Sequence, residues 1–335
     1  MIGKAATVGG GVIGAGWVAR LVLNGIDVAI FDPDPDAARK VDEVMSGARR
    51  AYARMAPEGL PREGRITYAA SIAEAVNDAD LVQESVPERL DLKHKVLCEI
   101  DAHAPPQALI GSSTSGLKPT DLQTPLRHPD RLVVAHPFNP VYLLPLVEIV
   151  GGEKTTADTV ARAKDTYAAI GMKPVVIRKE IEAFVGDRLL EALWREALWL
   201  VKDGITTVEE LDDVIRYSFG LRWAQMGLFQ VYRIAGGEAG MRHFMAQFGP
   251  CLAWPWTKLT DVPDFNDELV DLIASQSDAQ SSRWSIRELE AIRDDNLVAI
   301  LQALAQQNGG QGWGAGALQK EFVARLTAAA KAEKA

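Results

Sequence analysis

The sequence predicts an α/β protein in two parts: a doubly wound, largely parallel sheet over residues 1–180, followed by an all-helical C-terminal domain over 181–335. Three observations carry this. Short β-rich runs alternate with helical runs through the first half, the pattern of a parallel sheet covered on both faces. Strand patterns stop after about Lys179; the rest reads as helices separated by Gly- or Pro-containing breaks such as "SFG", "AGGEAG" and "FGPCLAWPW". A glycine motif, Gly9-x-Gly11-x-x-Gly14, stands between the first strand and the first helix.

The elements follow in order. Strands are expected at "KAATV" (4–8), "DVAIF" (27–31), "LVQESV" (81–86), "ALIGSS" (108–113), "RLVVAH" (131–136), "LVEIV" (146–150) and "KPVVI" (173–177). Helical patterns over 12–24, 89–102 and 156–170 lie between several of them. The stretch "EAFVGDRLLEALWREALW" (182–199) reads as a helix with apolar residues at three- and four-residue spacing. Asp187, Glu191 and Trp194 fall on one of its faces at i, i+4 and i+7. Two carboxylates and an indole in a row suit either a half-wet rim or a site for a cation. A Gly-rich loop (308–316) precedes a last amphipathic helix.

Bulk properties narrow the class. A chain of 335 residues with 47% hydrophobic content can bury a sizeable core. A net charge of −9 speaks against nucleic-acid or anionic-membrane partners. Two cysteines, Cys98 and Cys251, without CxxC spacing, indicate neither a disulfide framework nor a zinc site, so no metal is expected. No run of about 18 apolar residues suggests a membrane span, and the N-terminus enters a strand pattern at once. The expectation is a cytoplasmic protein.

The glycine motif has a physical reading. Gly9 permits the tight turn, Gly11 lets the backbone approach a pyrophosphate, and Gly14 allows close helix–strand packing, while the helix N-terminus offers its N–H groups to the phosphates. The second strand ends at Asp32, 18 residues beyond Gly14. A carboxylate there accepts from a ribose 2′-hydroxyl and repels a 2′-phosphate, which selects NAD over NADP. The first domain is therefore expected to be a Rossmann-type NAD-binding domain.

Chemistry is expected beyond the carboxyl ends of the strands, where ligands sit in open α/β sheets. "GSSTSGL" (111–117) ends one strand, "VAHPFNP" (134–140) another, and "PLVEIV" (145–150) follows. They bring Ser115, His136 and Glu148 toward one crevice. A histidine oriented by a carboxylate, with a hydroxyl sharing the reacting oxygen, is a dehydrogenase constellation. The other histidines, His94, His103, His128 and His243, read as structural or solvated.

The series "GGGVIGAG…SSTSGL…HPFNP…PLVEIV…AFVGDRLL" resembles the 3-hydroxyacyl-CoA dehydrogenase family over roughly residues 1–230. The resemblance implies that His136 is the catalytic base, Glu148 its partner and Ser115 the hydroxyl near the substrate oxygen. Asn139 and Pro140 fall in the same H-x-x-N-P element, and Glu84, Glu88 and Lys93 match the family's segment near the nicotinamide ribose. A helical C-terminal dimerisation domain is implied too, hence a homodimer. Three departures stand out. The family's "GF-x-x-NRLL" reads "AFVGDRLL", so Asp187 replaces an active-site Asn. "PMGPFEL" reads "QMGLFQV" (225–231). The insertion that contacts CoA is short here (about 37–64), with Arg49, Arg50 and Arg54 but few lysines. With these departures the whole chain resembles a branch of the family whose small-molecule substrate is a 3-hydroxy acid with a quaternary ammonium. Asp187 and Trp194 would then hold the cation, as aromatic faces and carboxylates do, with Tyr142 and Trp223 as further walls and Asn139 nearby. Rival expectations are oxidation of a 3-hydroxyacyl-CoA or another short 3-hydroxy acid, and a non-catalytic, crystallin-like role.

Overall fold

The apolar runs of the first half form one sheet in the computed structural model, which describes residues 2–333 apart from 225, 236–239, 249–256, 258–265 and 282. Its strands are β1 (Lys4–Val8), β2 (Asp27–Phe31), β3 (Ile66–Tyr68), β4 (Leu81–Glu84), β5 (Leu109–Ser112), β6 (Leu132–Pro137), β7 (Leu146–Gly151) and β8 (Lys173–Ile177). They lie in the order β3-β2-β1-β4-β5-β6-β7-β8. β6 and β7 are antiparallel and the other neighbours parallel. Seven strands coincide with sequence expectations to within two residues at each end. β3 was not expected. It is three residues long at the sheet edge with Tyr68 exposed, and so leaves no apolar run to read.

Helices α1 (Val12–Val22), α2 (Ala37–Met55), α3 (Ile72–Val76), α4 (Leu90–His103), α5 (Pro119–Gln123) and α6 (Ala157–Ala169) connect the strands. Because side chains alternate along a strand, the sheet feeds two cores. On β6, Val133 and Ala135 enter one core while Leu132 and Val134 enter the other. On β7, Val147 and Ile149 join the first and Val150 the second. The rings of Trp17 of α1 and Tyr167 of α6 pack in the first core with centroids 5.4 Å apart and planes tilted by 50°. Arg20 of α1 is buried there, and among the described residues no carboxylate pairs with it. Its guanidinium donates to the carbonyls of Val141 at 2.7 Å and Ile170 at 3.2 Å, and burial pushes its pKa down.

By its contacts the chain divides into two units, residues 1–185 with 293–335, and residues 186–292. The second unit holds α7 (Gly186–Lys202), α8 (Val208–Val214), a π-helical turn (Ile215–Phe219), α9 (Gly220–Trp223), α10 (Leu228–Ala235), α11 (Gly240–Phe248) and α12 (Asp267–Ser281). α13 (Ile286–Ala305) leads into α14 (Ala315–Ala332). The division drawn from the sequence assigned everything after 180 to one helical domain. Residues 293–335 instead belong with the sheet, because Val298, Phe322 and Leu326 complete its first core. A buried phenylalanine contributes about 1.5–3 kcal/mol, enough to hold a terminal helix in place. Gly171, at φ +81°, leaves the room: a Cβ there would meet the Phe322 ring at 2.4 Å.

The expected helix over 182–199 starts later, at Gly186. Ala183 and Phe184 precede it with φ of 58° and 47°, a left-handed conformation that costs non-glycine residues of order 1 kcal/mol or more. The turn is held because Phe184 is fully buried in the second core. Periodicity ran through this turn and concealed it. Cys98 carries a free thiol; Cys251, most of "AGGEAG" and most of "FGPCLAWPW" lie outside the described residues. No helix among the described residues is long and apolar enough to cross a membrane, and no cluster that could hold a metal ion is found among them.

Candidate active site

The loop between β1 and α1 is built on its glycines. Gly9 has φ +100°, and a Cβ there would lie 2.6 Å from the Ser85 carbonyl oxygen. A Cβ on Gly14 would strike the Gly9 carbonyl oxygen at 1.8 Å. Beside Gly11 nothing lies within 4 Å of that position, so its open side faces a cleft. The cleft, of about 640 Å³, is lined among others by Gly9, Gly11, Val12, Asp32, Ser85 and Val86. Asp32 directly follows β2 and turns its carboxylate back toward the loop. Oδ2 accepts from the Gly10 N–H at 2.5 Å and Oδ1 from the Asp34 N–H at 2.8 Å. Each oxygen keeps a second lone pair for a ribose hydroxyl. An open glycine cradle at a helix N-terminus, with a fixed carboxylate at the second strand's end, fits a dinucleotide.

His136 stands near the end of β6. The β6–β7 register puts it directly opposite Glu148, with Ala135 facing Ile149 and Pro137 facing Val147. Both side chains turn to the face shared by Val134, Val150 and Phe184. His136 is 5% exposed and Glu148 2%. Nδ1 and Glu148 Oε2 are 2.9 Å apart. A carboxylate only accepts, so Nδ1–H is the donor and the imidazole lone pair lies on Nε2. The other carboxylate oxygen accepts from the Val185 N–H at 3.1 Å. The rings of Phe138 and Phe184 flank the imidazole, with centroids at 4.8 and 5.6 Å. These two aromatic flanks were not singled out in the sequence. Phe138 stands inside the H-x-x-N-P element, and Phe184 shows its role only once the left-handed turn is seen.

Ser115 lies on the loop after β5. Ser112 of β5 is paired with Val134 of β6, so three residues on from one and two residues on from the other the chain reaches Ser115 and His136 at the same end of the sheet. Glu88 fixes that loop. It accepts from the Thr114 hydroxyl and, at 3.0 Å, from the Gly116 N–H, on either side of Ser115. Lys93, expected near the nicotinamide ribose, lies on α4. Its ammonium is almost fully buried. It donates to Glu84 Oε1 at 2.8 Å and the Val86 carbonyl at 3.1 Å, and lies 3.5 Å from Glu88. Glu84 also accepts from the Ser112 hydroxyl at 2.5 Å. A buried ammonium is tolerable only with partners of this kind, so Lys93 ties α4 to the end of β4 and the loop after it, and Glu84 and Glu88 carry the network on to Ser112, Thr114 and Gly116.

The remaining expected residues divide. Asn139 is exposed just beyond β6, before Pro140. Tyr142 is not a wall of the His136 crevice. It is buried in the first core, its hydroxyl donates to the Asp294 carboxylate, and burial with that carboxylate pushes its pKa far up. The run "PVYLL" hides this because an aromatic after a strand end reads equally as wall or core. Asp187 sits in the first turn of α7, and Trp194, 54% exposed, on the same helix. Trp223, 39% exposed, pairs with Phe219 at 4.6 Å between ring centroids. These three belong to the second unit.

Comparison with known proteins gives the family. The family model described as 3-hydroxyacyl-CoA dehydrogenase, NAD binding domain, matches residues 4–181, and that of the family's C-terminal domain matches 184–261. The chain is 76% identical to an L-carnitine dehydrogenase of Mesorhizobium japonicum, covering 97% of this chain and 90% of that protein. It is 65% identical to an L-carnitine dehydrogenase/betainyl-CoA thioesterase of Rhizobium meliloti over 97% of this chain, and spans 66% of that protein's length. Among solved structures, an NAD-dependent 5-formyl-3-hydroxy-2-methylpyridine 4-carboxylic acid 5-dehydrogenase superposes with a TM-score of 0.76 at 30% identity, covering 90% of this chain and 98% of that one. With an NAD-binding half and a helical half matched in sequence order, the chain is an NAD-dependent dehydrogenase and belongs to the 3-hydroxyacyl-CoA dehydrogenase family.

Proposed function

We propose that the protein oxidises the 3-hydroxyl of L-carnitine to 3-dehydrocarnitine, with His136 as general base. The observation that carries the chemistry is the buried His136–Glu148 pair, with the lone pair on Nε2 at a strand end. The substrate assignment is supported by the relatives that bear the name L-carnitine dehydrogenase at 76% and 50% identity. It is supported also by the basic side chains of α2. Arg49 is paired with Glu63 at 2.7 Å, and Arg54 with Asp295, so these charges are engaged within the protein rather than offered to the phosphates of CoA.

Bound NAD supplies the hydride acceptor for C3. His136 Nε2 takes the hydroxyl proton as the C3–O bond becomes a carbonyl. Glu148 keeps Nδ1 protonated throughout and offsets the imidazolium charge that appears. Ser115 hydrogen-bonds the reacting oxygen, with Glu88 holding its loop. Gly9, Gly11, Gly14 and Asp32 hold the dinucleotide, and Asp32 sets the preference for NAD. Asp187 and Trp194, with Trp223, hold the trimethylammonium group; the carboxylate and the π faces both attract a cation that cannot be hydrogen-bonded. Asn139, exposed at the end of β6, contributes at the rim of the substrate site.

A second copy of the chain covers part of the second unit. Leu189 and Leu190 are 60% and 56% exposed on α7, and Phe229 73% exposed on α10. Apolar surface of this kind marks an interface. Light scattering is expected to give twice the chain mass of 36.4 kDa; a single-chain mass would contradict the dimer.

Asp32→Ser is expected to weaken NAD binding and narrow the NAD/NADP gap. Equal use of both cofactors by the unaltered enzyme would overturn the ribose assignment. His136→Gln is expected to leave the Kd for NADH nearly unchanged and to cut turnover by the ~10²–10⁴ typical of a lost general base. Near-normal turnover would remove His136 from the chemistry.

Asp187→Asn is expected to raise KM for L-carnitine by roughly one to two orders of magnitude. A close ion pair at moderate effective dielectric is worth a few kcal/mol before desolvation, and each ~1.4 kcal/mol is tenfold. 3-Hydroxybutyrate, which lacks the cation, is the control. Equal penalties on both would mean that Asp187 serves the start of α7 instead.

A further inference from the structure

The face of the sheet opposite His136 carries a second polar cluster that the reaction scheme does not use. Gln83 of β4 and Tyr167 of α6 are fully buried. The Tyr167 hydroxyl donates to Gln83 Oε1 at 2.7 Å. Gln83 Nε2 donates to Ser113 Oγ at 2.8 Å. The Ala135 carbonyl oxygen is 3.5 Å from the same nitrogen, at the limit of a hydrogen bond, so the Tyr167 hydroxyl is the group that selects that orientation of the amide. Trp17 Nε1, which can only donate, gives Ser113 Oγ a second hydrogen bond at 3.0 Å.

Counting lone pairs gives the chain a direction. A hydroxyl oxygen accepts two hydrogen bonds and donates one. Ser113 accepts from Trp17 and Gln83, so its own proton goes to Ser85 Oγ, 2.9 Å away. Ser85 therefore accepts from Ser113 and has its proton left to give. Among the described residues no other partner takes it. Ser85 is half-buried and lines the dinucleotide cleft. It lies against the glycine loop: a Cβ on Gly14 would be 3.4 Å from its own Cβ. Gly111 makes room for the chain's far end, since a Cβ there would lie 2.3 Å from the Tyr167 hydroxyl and 2.8 Å from Gln83 Oε1. Burial pushes the Tyr167 pKa far up, so the phenol keeps its proton at every working pH.

We infer that Ser85 is a cofactor-binding residue, which donates its hydroxyl proton to an oxygen of the dinucleotide beyond the glycine loop, on the nicotinamide-side phosphate or the nicotinamide ribose, and that Tyr167, Gln83 and Ser113 set the direction of that bond. Asp32 marks the adenosine end of the cleft, across the loop from β4. Tyr167, Gln83 and Ser113 are positioning residues. Without the Tyr167 proton the Gln83 amide is released to turn its oxygen toward Ser113. Ser113 would then donate to Gln83 and accept from Ser85, drawing the Ser85 proton out of the cleft.

The test is binding, read by NADH fluorescence titration and by calorimetry with ADP-ribose and AMP. One neutral hydrogen bond corresponds to roughly a three- to tenfold change in Kd. Ser85→Ala is expected to raise the Kd for NADH and ADP-ribose by that factor and to leave AMP, which lacks the pyrophosphate bridge and second ribose, unchanged. Tyr167→Phe is expected to weaken NADH to the same extent with Ser85 present and hardly at all in the Ser85→Ala background. Unchanged NADH binding in Ser85→Ala, or an equal loss for AMP, would overturn the contact. Full additivity of the two substitutions would overturn the relay. Should Tyr167→Phe fold poorly, Ser85→Ala with the three ligands still decides the contact, and Gln83→Leu replaces it in the cycle.

Discussion

The site depends on the antiparallel pairing of β6 and β7. It is the one departure from parallel order in the sheet, and it sets His136 opposite Glu148. In an antiparallel ladder directly opposed side chains project to the same face, so the pair needs no loop to bring it together. A slip of one residue would turn His136 into the opposite core and leave Glu148 buried without its partner, which is costly. The register is pinned by the apolar neighbours, since Ala135 and Ile149 must enter the first core and Val134 and Val150 the second. Packing and the buried His136–Glu148 pair thus impose the same register.

The two-residue period also separates the polar groups of the sheet. Glu84, Ser112, His136 and Glu148 stand on one face, where the Lys93 ammonium, Thr114 and the Val185 N–H complete their hydrogen bonds. Gln83 and Gly111 stand on the other, beneath the cofactor loop, with Tyr167 and Trp17. Adjacent residues in β4, Gln83 and Glu84, therefore serve different networks. Buried polar groups are stable only when fully paired, and these chains leave their ends at the strand termini, where a ligand can take them up.

Much of this was legible in the sequence. Strand positions followed from short apolar runs, and the dinucleotide loop from glycines placed between a strand and a helix. His136, Glu148 and Ser115 followed from strand ends and from resemblance. What the sequence concealed has physical causes. β3 is too short and exposed to leave a pattern. The turn at Ala183–Phe184 interrupts a periodicity that reads as unbroken helix, because an αL pair has no signature when neither residue is Gly or Asn. Tyr142 had the right chemistry for a wall but met a partner far along the chain, Asp294. The return of 293–335 to the first core is a long-range event that local pattern cannot carry.

The central claim is that this family scaffold has been turned from an acyl thioester to a small zwitterionic 3-hydroxy acid. The most direct measurement is NAD reduction, followed at the NADH absorbance band, with L-carnitine, D-carnitine and 3-hydroxybutyryl-CoA offered side by side to the same enzyme. The account predicts rapid NADH formation with L-carnitine and far slower formation with its enantiomer and with the thioester. A higher kcat/KM for 3-hydroxybutyryl-CoA, or no NADH with L-carnitine, would contradict it.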